Sequence, residues 1–121
     1  MKYNYFYGKV ELEPFSYYRV PMAFFKEEKY ISMSADAKIL YSILLDKINL
    51  SEEKGWIDEN GNPYVVCTIN EVKELIGWGK TKTINILNEL ERKYFLIKRK
   101  CRGLGKPNII YVKNIIENNE E

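Results

Sequence analysis

Residues 68–94 read TINEVKELIGWGKTKTINILNELERKY, two helix-forming segments separated by Gly77-Trp78-Gly79. Thr68 and Glu71 have the T-x-x-E spacing of a capping box, in which hydroxyl and carboxylate satisfy orphan backbone N–H groups at a helix start. They predict a short helix through Ile76, which the glycines then break. A longer helix begins near Lys80 or Thr81 and runs to about Lys93. Its apolar positions Ile84, Leu87, Leu90 and Tyr94 recur at three- and four-residue steps and form a core face. Thr81, Lys82, Asn85, Glu89 and Arg92 fall opposite. A short and a longer helix joined by a tight Gly-containing turn is the helix-turn-helix layout.

On the C-terminal side, residues 95–100 alternate, with Phe95, Ile97 and Arg99 facing one way and Leu96, Lys98 and Lys100 the other. Gly103-Leu104-Gly105-Lys106-Pro107 makes a loop, and residues 109–112 make the return strand. A basic two-stranded hairpin placed directly after the longer helix turns the layout into a winged helix. On the N-terminal side, Ser34 is a good N-cap and Asp36 sits in a first turn favoured by the helix dipole. Ala37, Leu40, Ile43, Leu44 and Ile48 follow at helical spacing, so a helix runs to about Asn49 as the central core element. Trp56-Ile57 and residues 64–67 are short strands flanking residues 58–62, whose Asn60-Gly61 pair reads as a hairpin turn. The predicted fold class is α+β: a winged helix-turn-helix of three main helices with small antiparallel β-hairpins.

Residues 34–113 thus form the winged-helix domain. Residues 1–33 read as an aromatic arm, with Tyr3, Tyr5 and Tyr7 at period two, then Phe15, Tyr17 and Tyr18. Pro14 and Pro21 oppose a long helix there, and residues 20–25 open one short helical turn. The arm's rings suit either a cover over the core or an exchanged arm at a dimer interface, where aromatics are enriched. Residues 114–121 are a polar linker or chain end.

The 121 residues, 45% apolar and 14% aromatic, suffice for one packed core and exclude disorder as the main state. No apolar run is long enough to cross a membrane, and residues 1–14 do not form a signal peptide. Two cysteines, Cys67 and Cys101, fit a reduced cytoplasm better than a disulfide scaffold. The absence of histidine removes the commonest general base and metal ligand, so no enzyme, metal or cofactor is expected. Charge is unevenly spread. Residues 1–60 carry a net −2, whereas residues 80–113 hold ten Lys/Arg against Glu89 and Glu91, a net +8. Such an excess seeks a polyanion.

The chemistry of that excess suits duplex DNA. The N-terminal residues of a recognition helix reach base edges, and Lys80, Thr81, Lys82, Thr83 and Asn85 offer donors for guanine, adenine and phosphate. An ordinary amphipathic helix with a polar first turn would look similar alone, but the basic hairpin beside it favours DNA. In that hairpin Arg99, Lys100, Arg102 and Lys106 surround two glycines that let a loop approach a sugar-phosphate backbone closely. Lys82 and Asn85 are the expected base readers. Lys80, Thr81 and Lys100 hold phosphates, with Arg102 and Lys106 on the backbone or in the minor groove. Three other patterns fail. Gly79-Lys80-Thr81 lacks the first P-loop glycine, because position 74 is Glu74. Asp58, Asn60 and Asn62 begin like a calcium loop, but Pro63 and Ile69 stand where glycine and glutamate are needed. Gly103-Leu104-Gly105 has no third glycine.

The stretches FSYYRVPMAFF (15–25), SADAKILYSILLDKINLS (34–51), GWIDENGNPYVV (55–66), TINEVKELIGWGKTKTINILNELE (68–91) and GLGKPNIIYVKN (103–114) resemble the N-terminal domain of the plasmid replication initiator RepA family of Gram-positive bacteria. The resemblance implies a winged helix that binds origin repeats, which usually lie within the initiator gene. It maps the family's helix start and wing onto residues 80–85 and 99–106. It also implies a further C-terminal domain, absent from this sequence, that engages host replication proteins. A homodimer on DNA is the expected assembly, since two protomers on repeats would raise the effective affinity. The competing expectations are a winged-helix transcription regulator or autorepressor and, in a different class, a winged helix for protein–protein assembly.

Overall fold

Ser34 turns an extended backbone into the longest helix, α3 (Ala35–Ile48), its side-chain oxygen accepting the Ala37 N–H at 3.1 Å. The computed structural model describes residues 16–115 together with Tyr5 and Gly8. Ahead of α3 come two single helical turns, α1 (Ala23–Lys26) and α2 (Glu28–Ile31). After it come α4 (Ser51–Lys54), β1 (Val65–Val66), α5 (Ile69–Ile76), α6 (Lys80–Asn88), β2 (Ile97–Lys100) and β3 (Ile109–Val112). The predicted winged helix-turn-helix is the fold observed: α3 packs on a three-stranded antiparallel sheet of order β1-β3-β2, α6 packs on α3, and α5 packs on α6.

The core forms where the apolar face of α3 (Ala37, Leu40, Tyr41, Leu44) meets Leu87 and Leu90 behind α6, Val72 of α5 and Ile97 and Ile110 of the sheet. Burial, aided by the charge of Tyr30, pushes the Tyr41 phenol up to about 12. It therefore stays a neutral donor, bonding the Lys113 carbonyl at 2.7 Å and tying the end of the sheet to α3.

Three parts of this fold differ from the sequence reading. The division at residue 33 is not a boundary, because Phe24, Tyr30 and Met33 are buried in the main core. Phe24 meets Tyr30 and Tyr41 edge-on at centroid distances of 5.3 and 5.1 Å, a favoured aromatic geometry. Tyr5, Tyr17 and Tyr18 are exposed, so these three rings do not cover the core. Tyr3, Tyr7, Phe15 and residues 116–121 lie outside the described residues.

Second, the hairpin predicted around Asn60-Gly61 forms but is shorter than expected. Ile57 pairs with Pro63 in one antiparallel bridge, flanked by the Tyr64 N–H donating to the Trp56 carbonyl at 3.0 Å and the Asp58 N–H to the Asn62 carbonyl at 2.9 Å, while Val65 and Val66 pair instead with Ile110 and Ile109. The intervening loop is held by Asp58, whose carboxylate accepts the N–H groups of Asn60 and Asn62 at 2.9 and 2.8 Å and the Tyr111 hydroxyl at 2.9 Å. The apparent calcium-loop residues thus serve a turn that closes on itself and on β3.

Third, the alternation in residues 95–100 fails at its start. Phe95 has a φ of 54°, a left-handed conformation uncommon outside glycine. That kink turns Leu96 and Ile97 both inward, and alternation resumes only beyond them. The helix before it reaches Lys93 as predicted, but its last five residues, Glu89–Lys93, form a π-helical turn.

Phe24→Ala is expected to destabilise the fold by about 3–5 kcal/mol, the usual cost of emptying a buried aromatic site. Urea unfolding measures it, and a loss under about 1 kcal/mol would mean that this segment is a dispensable arm.

Candidate nucleic-acid interface

Local chemistry fixes the helix-turn-helix. The Thr68 hydroxyl oxygen accepts the Glu71 N–H at 3.1 Å, and the Glu71 carboxylate accepts the Thr68 N–H at 3.2 Å, completing the expected capping box. Gly77, at φ 82°, ends α5 in the left-handed conformation that suits glycine. Gly79 then caps α6 without a side-chain acceptor. The first N–H groups of α6 therefore have no side-chain cap, which leaves donors and a positive dipole end at the recognition helix start.

Around that start, Lys80, Thr81, Lys82 and Asn85 are exposed. The side chains of Lys80, Thr81 and Asn85 have no partner among the described residues. Lys82 differs: its Nζ lies 3.0 Å from Asp36 Oδ2 and 5.3 Å from the centre of the Trp78 ring. Thr83 corrects the sequence reading. It is fully buried, and its hydroxyl donates to the Gly79 carbonyl at 2.9 Å, so its side chain does not reach a ligand. At about 100° per residue, Leu87 and Leu90 centre the buried stripe on the line through Thr83 and leave Ile84 at its edge.

Glu89 also leaves the face first assigned to it. Its carboxylate accepts the Ser34 N–H at 2.8 Å and the Ser34 hydroxyl at 2.7 Å, clasping the start of α3. Tyr94 adds a second link from the same segment, its hydroxyl 3.0 Å from that of Ser32.

The wing is attached through Arg99. Its backbone N–H and its Nε bond the two Glu91 oxygens at 2.9 and 2.7 Å, and a terminal nitrogen reaches Asn88 Oδ1 at 2.6 Å. Arg99, expected on DNA, is instead largely committed to holding β2 against the end of the recognition helix. Burial opposes ionisation of Glu91. The Arg99 hydrogen bonds, with the charges of Arg99 and Arg92, outweigh it and hold the carboxyl below its ordinary range.

Beyond this joint, Lys98, Lys100, Arg102 and Lys106 are exposed. Arg102 Nε donates to the Pro107 carbonyl at 3.1 Å, and its guanidinium lies 6.0 Å from the Tyr64 ring centre. Gly103 and Gly105, at φ 104° and 79°, turn the wing tip and leave Leu104 fully exposed.

Between α6 and the wing lies an open cleft of about 450 Å³ whose polar lining includes Thr68, Asn70, Lys80 and Asn108. Thr68, Asn70 and Asn108, which line this cleft, were not among the residues the sequence marked. Their only signal was position, at the start of α5 and beside the wing loop, which becomes informative once β3 is known to lie centrally in the sheet. A recognition helix with exposed donors, a basic wing and a polar cleft between them together suit a major groove, the neighbouring minor groove and the phosphate strand that separates them. Among the described residues, no helix is long and apolar enough to cross a membrane.

A depressed Glu91 pKa contributes stability above the ordinary glutamate value of about 4.3. That contribution is lost as pH falls through the lower folded value. Glu91→Gln is therefore expected to cost about 1.5–3 kcal/mol at pH 7, the range for hydrogen bonds to a charged group, and progressively less as pH falls below about 4. Thermal unfolding of both proteins across pH checks this, and a deficit independent of pH would contradict it.

Comparison with known proteins agrees with this geometry. Residues 16–121 match the family described as replication initiator protein A (RepA) N-terminus. A solved N-terminal domain of a DNA-binding protein is 37% identical, with a TM-score of 0.76 over 92% of this chain and 84% of that one. A chain from a Rep–DNA complex is 35% identical, with a TM-score of 0.76 over 93% of this chain and 88% of its own. A third, an MDR initiator, is 31% identical with a TM-score of 0.73, covering 88% and 86%. A 41 kDa protein of Lactobacillus helveticus is 29% identical over 84 residues, which is 69% of this chain and 24% of that protein. The chain thus spans about a quarter of that relative's length. Sequence and architecture agree across almost all of the described residues, and the chain belongs to the replication initiator protein A N-terminus family.

Proposed function

We propose that this chain is the sequence-specific duplex-DNA-binding domain of a replication initiator, a cytoplasmic and non-catalytic module that recognises repeats in a plasmid origin. The observation that carries the proposal is the row of exposed Lys80, Thr81 and Asn85 side chains, without partners among the described residues, at the uncapped start of α6 beside the basic wing. Family membership and a neighbour solved as a Rep–DNA complex support it.

In this reading Asn85 and Lys82 meet base edges in the major groove, where asparagine pairs with adenine and lysine with guanine acceptors. Lys80, Thr81 and Lys100 hold phosphates, and Lys106 with Arg102 lies on the backbone or in the adjacent minor groove. Thr83 and Arg99 support the surface from within. Two copies on neighbouring repeats would bind more tightly than one, since a linked second contact is effectively intramolecular. Engagement of host replication proteins belongs to parts of longer family members that this chain does not match.

Fluorescence anisotropy tests the proposal, with one duplex carrying repeats from the protein's own coding region and another their scrambled sequence, each at two salt concentrations. Tight, salt-dependent binding to the repeats that weakens on scrambling is expected. Equal binding to both would overturn sequence specificity, and binding to neither would overturn the DNA reading. Asn85→Ala should cost roughly 1–3 kcal/mol and relax one base position, whereas Lys100→Gln should weaken all sequences alike and reduce the log–log salt slope by about 0.9. A uniform loss in Asn85→Ala would exclude it as a base reader.

A further inference from the structure

Asp36 stands on the same face as the start of the recognition helix, although a carboxylate there repels the phosphates that the neighbouring cations attract. Its oxygen lies 3.0 Å from Lys82 Nζ, and both side chains are substantially exposed, 39% for Asp36 and 49% for Lys82. Exposed pairs of this kind contribute little to folding stability. The α3 dipole favours a first-turn carboxylate as well, but only modestly at an exposed position. That helix start already has the Ser34 cap, and the Glu89 carboxylate accepts both the N–H and the hydroxyl of Ser34.

We infer that Asp36 is a specificity-determining residue that acts through Lys82, an inference that rests on the DNA-binding reading above. An unpaired Lys82 would be a point charge open to any phosphate, adding affinity without discrimination. Held by Asp36 on one side and lying against the Trp78 ring on the other, its ammonium is restricted in both charge and direction. A phosphate must either break the pair or approach the carboxylate. A guanine edge bears no full charge and can accept from the remaining N–H donors while the pair stays intact. Asp36 therefore penalises backbone contact by Lys82 and tolerates base contact, which raises the ratio of specific to non-specific binding by a repulsive element.

The test compares the unsubstituted chain, Asp36→Asn, Lys82→Gln and the double variant on repeat and scrambled duplexes across a salt series. Asp36→Asn should bind the scrambled duplex about three- to fivefold more tightly, the factor set by releasing one exposed pair. Its salt slope there should steepen by about 0.9, one additional phosphate contact. Affinity for the repeats should stay within about twofold, so selectivity falls. In the Lys82→Gln background the same change should have almost no effect, because the cation that Asp36 restrains is gone.

Unchanged scrambled binding, equal tightening on both duplexes or weaker repeat binding in Asp36→Asn would each overturn the inference. So would an undiminished effect in the double variant, which would mean that Asp36 repels DNA directly. Thermal unfolding of Asp36→Asn separates these results from a folding defect: a midpoint close to the parent is expected, and selectivity that falls only alongside the midpoint would also overturn the inference. Equal binding of both duplexes by the unsubstituted chain would instead defeat the DNA-recognition proposal and this inference together, and is visible before any substitution is made.

Discussion

Two carboxylates in one π-helical turn hold the recognition helix in place. Glu89 reaches one way, to the backbone and hydroxyl of Ser34 at the start of α3. Glu91 reaches the other way, to the backbone and guanidinium of Arg99 at β2. A π-helical turn carries one more residue per hydrogen bond than an α-helix, the bond here running from Tyr94 N–H to the Glu89 carbonyl. The central helix and the wing are thereby referenced to the same short segment. Their spacing relative to α6 follows from hydrogen bonds to charged groups, which are stronger and more directional than apolar contact.

This arrangement divides the basic residues into held cations and available ones. Arg99 is consumed by the joint with Glu91 and Asn88, and Lys82 is restrained by Asp36 and Trp78. Lys80 at the helix start and Lys98, Lys100 and Lys106 on the wing have no side-chain partner among the described residues. The net excess of positive charge seen in the sequence is therefore not a uniform patch. It combines the held cations Arg99 and Lys82 with several available ones, and only the available group is free for the counterion release that drives non-specific association with DNA.

Much of this was legible in the sequence because it is encoded locally. The Thr68–Glu71 capping box, the Gly77 and Gly79 punctuation and the Ser34 cap specify their helix ends within four residues, and each was found as read. What was missed depends on contacts distant in the chain. Thr83 looks like a surface threonine until the buried stripe is centred by packing against α3. Glu89 and Arg99 look solvated until Ser34 and Glu91 arrive as partners. Phe24 and Tyr30 read as part of an arm because their burial needs Tyr41 and Tyr94 beside them. Charge pattern alone marks the presence of a polyanion-binding surface; which cations serve it is decided by tertiary partners.

In the DNA-binding role proposed for this chain, one contiguous surface, made by the start of α6, the start of α5 and the wing, meets the duplex. The most direct measurement is a residue-resolved NMR titration of the chain with the repeat duplex, following backbone amide shifts. The largest changes are expected in residues 68–70, 80–85 and 98–108, with residues 23–31 of α1 and α2 nearly unmoved. Large changes confined to residues 23–31, with the start of α6 and the wing silent, would contradict that role.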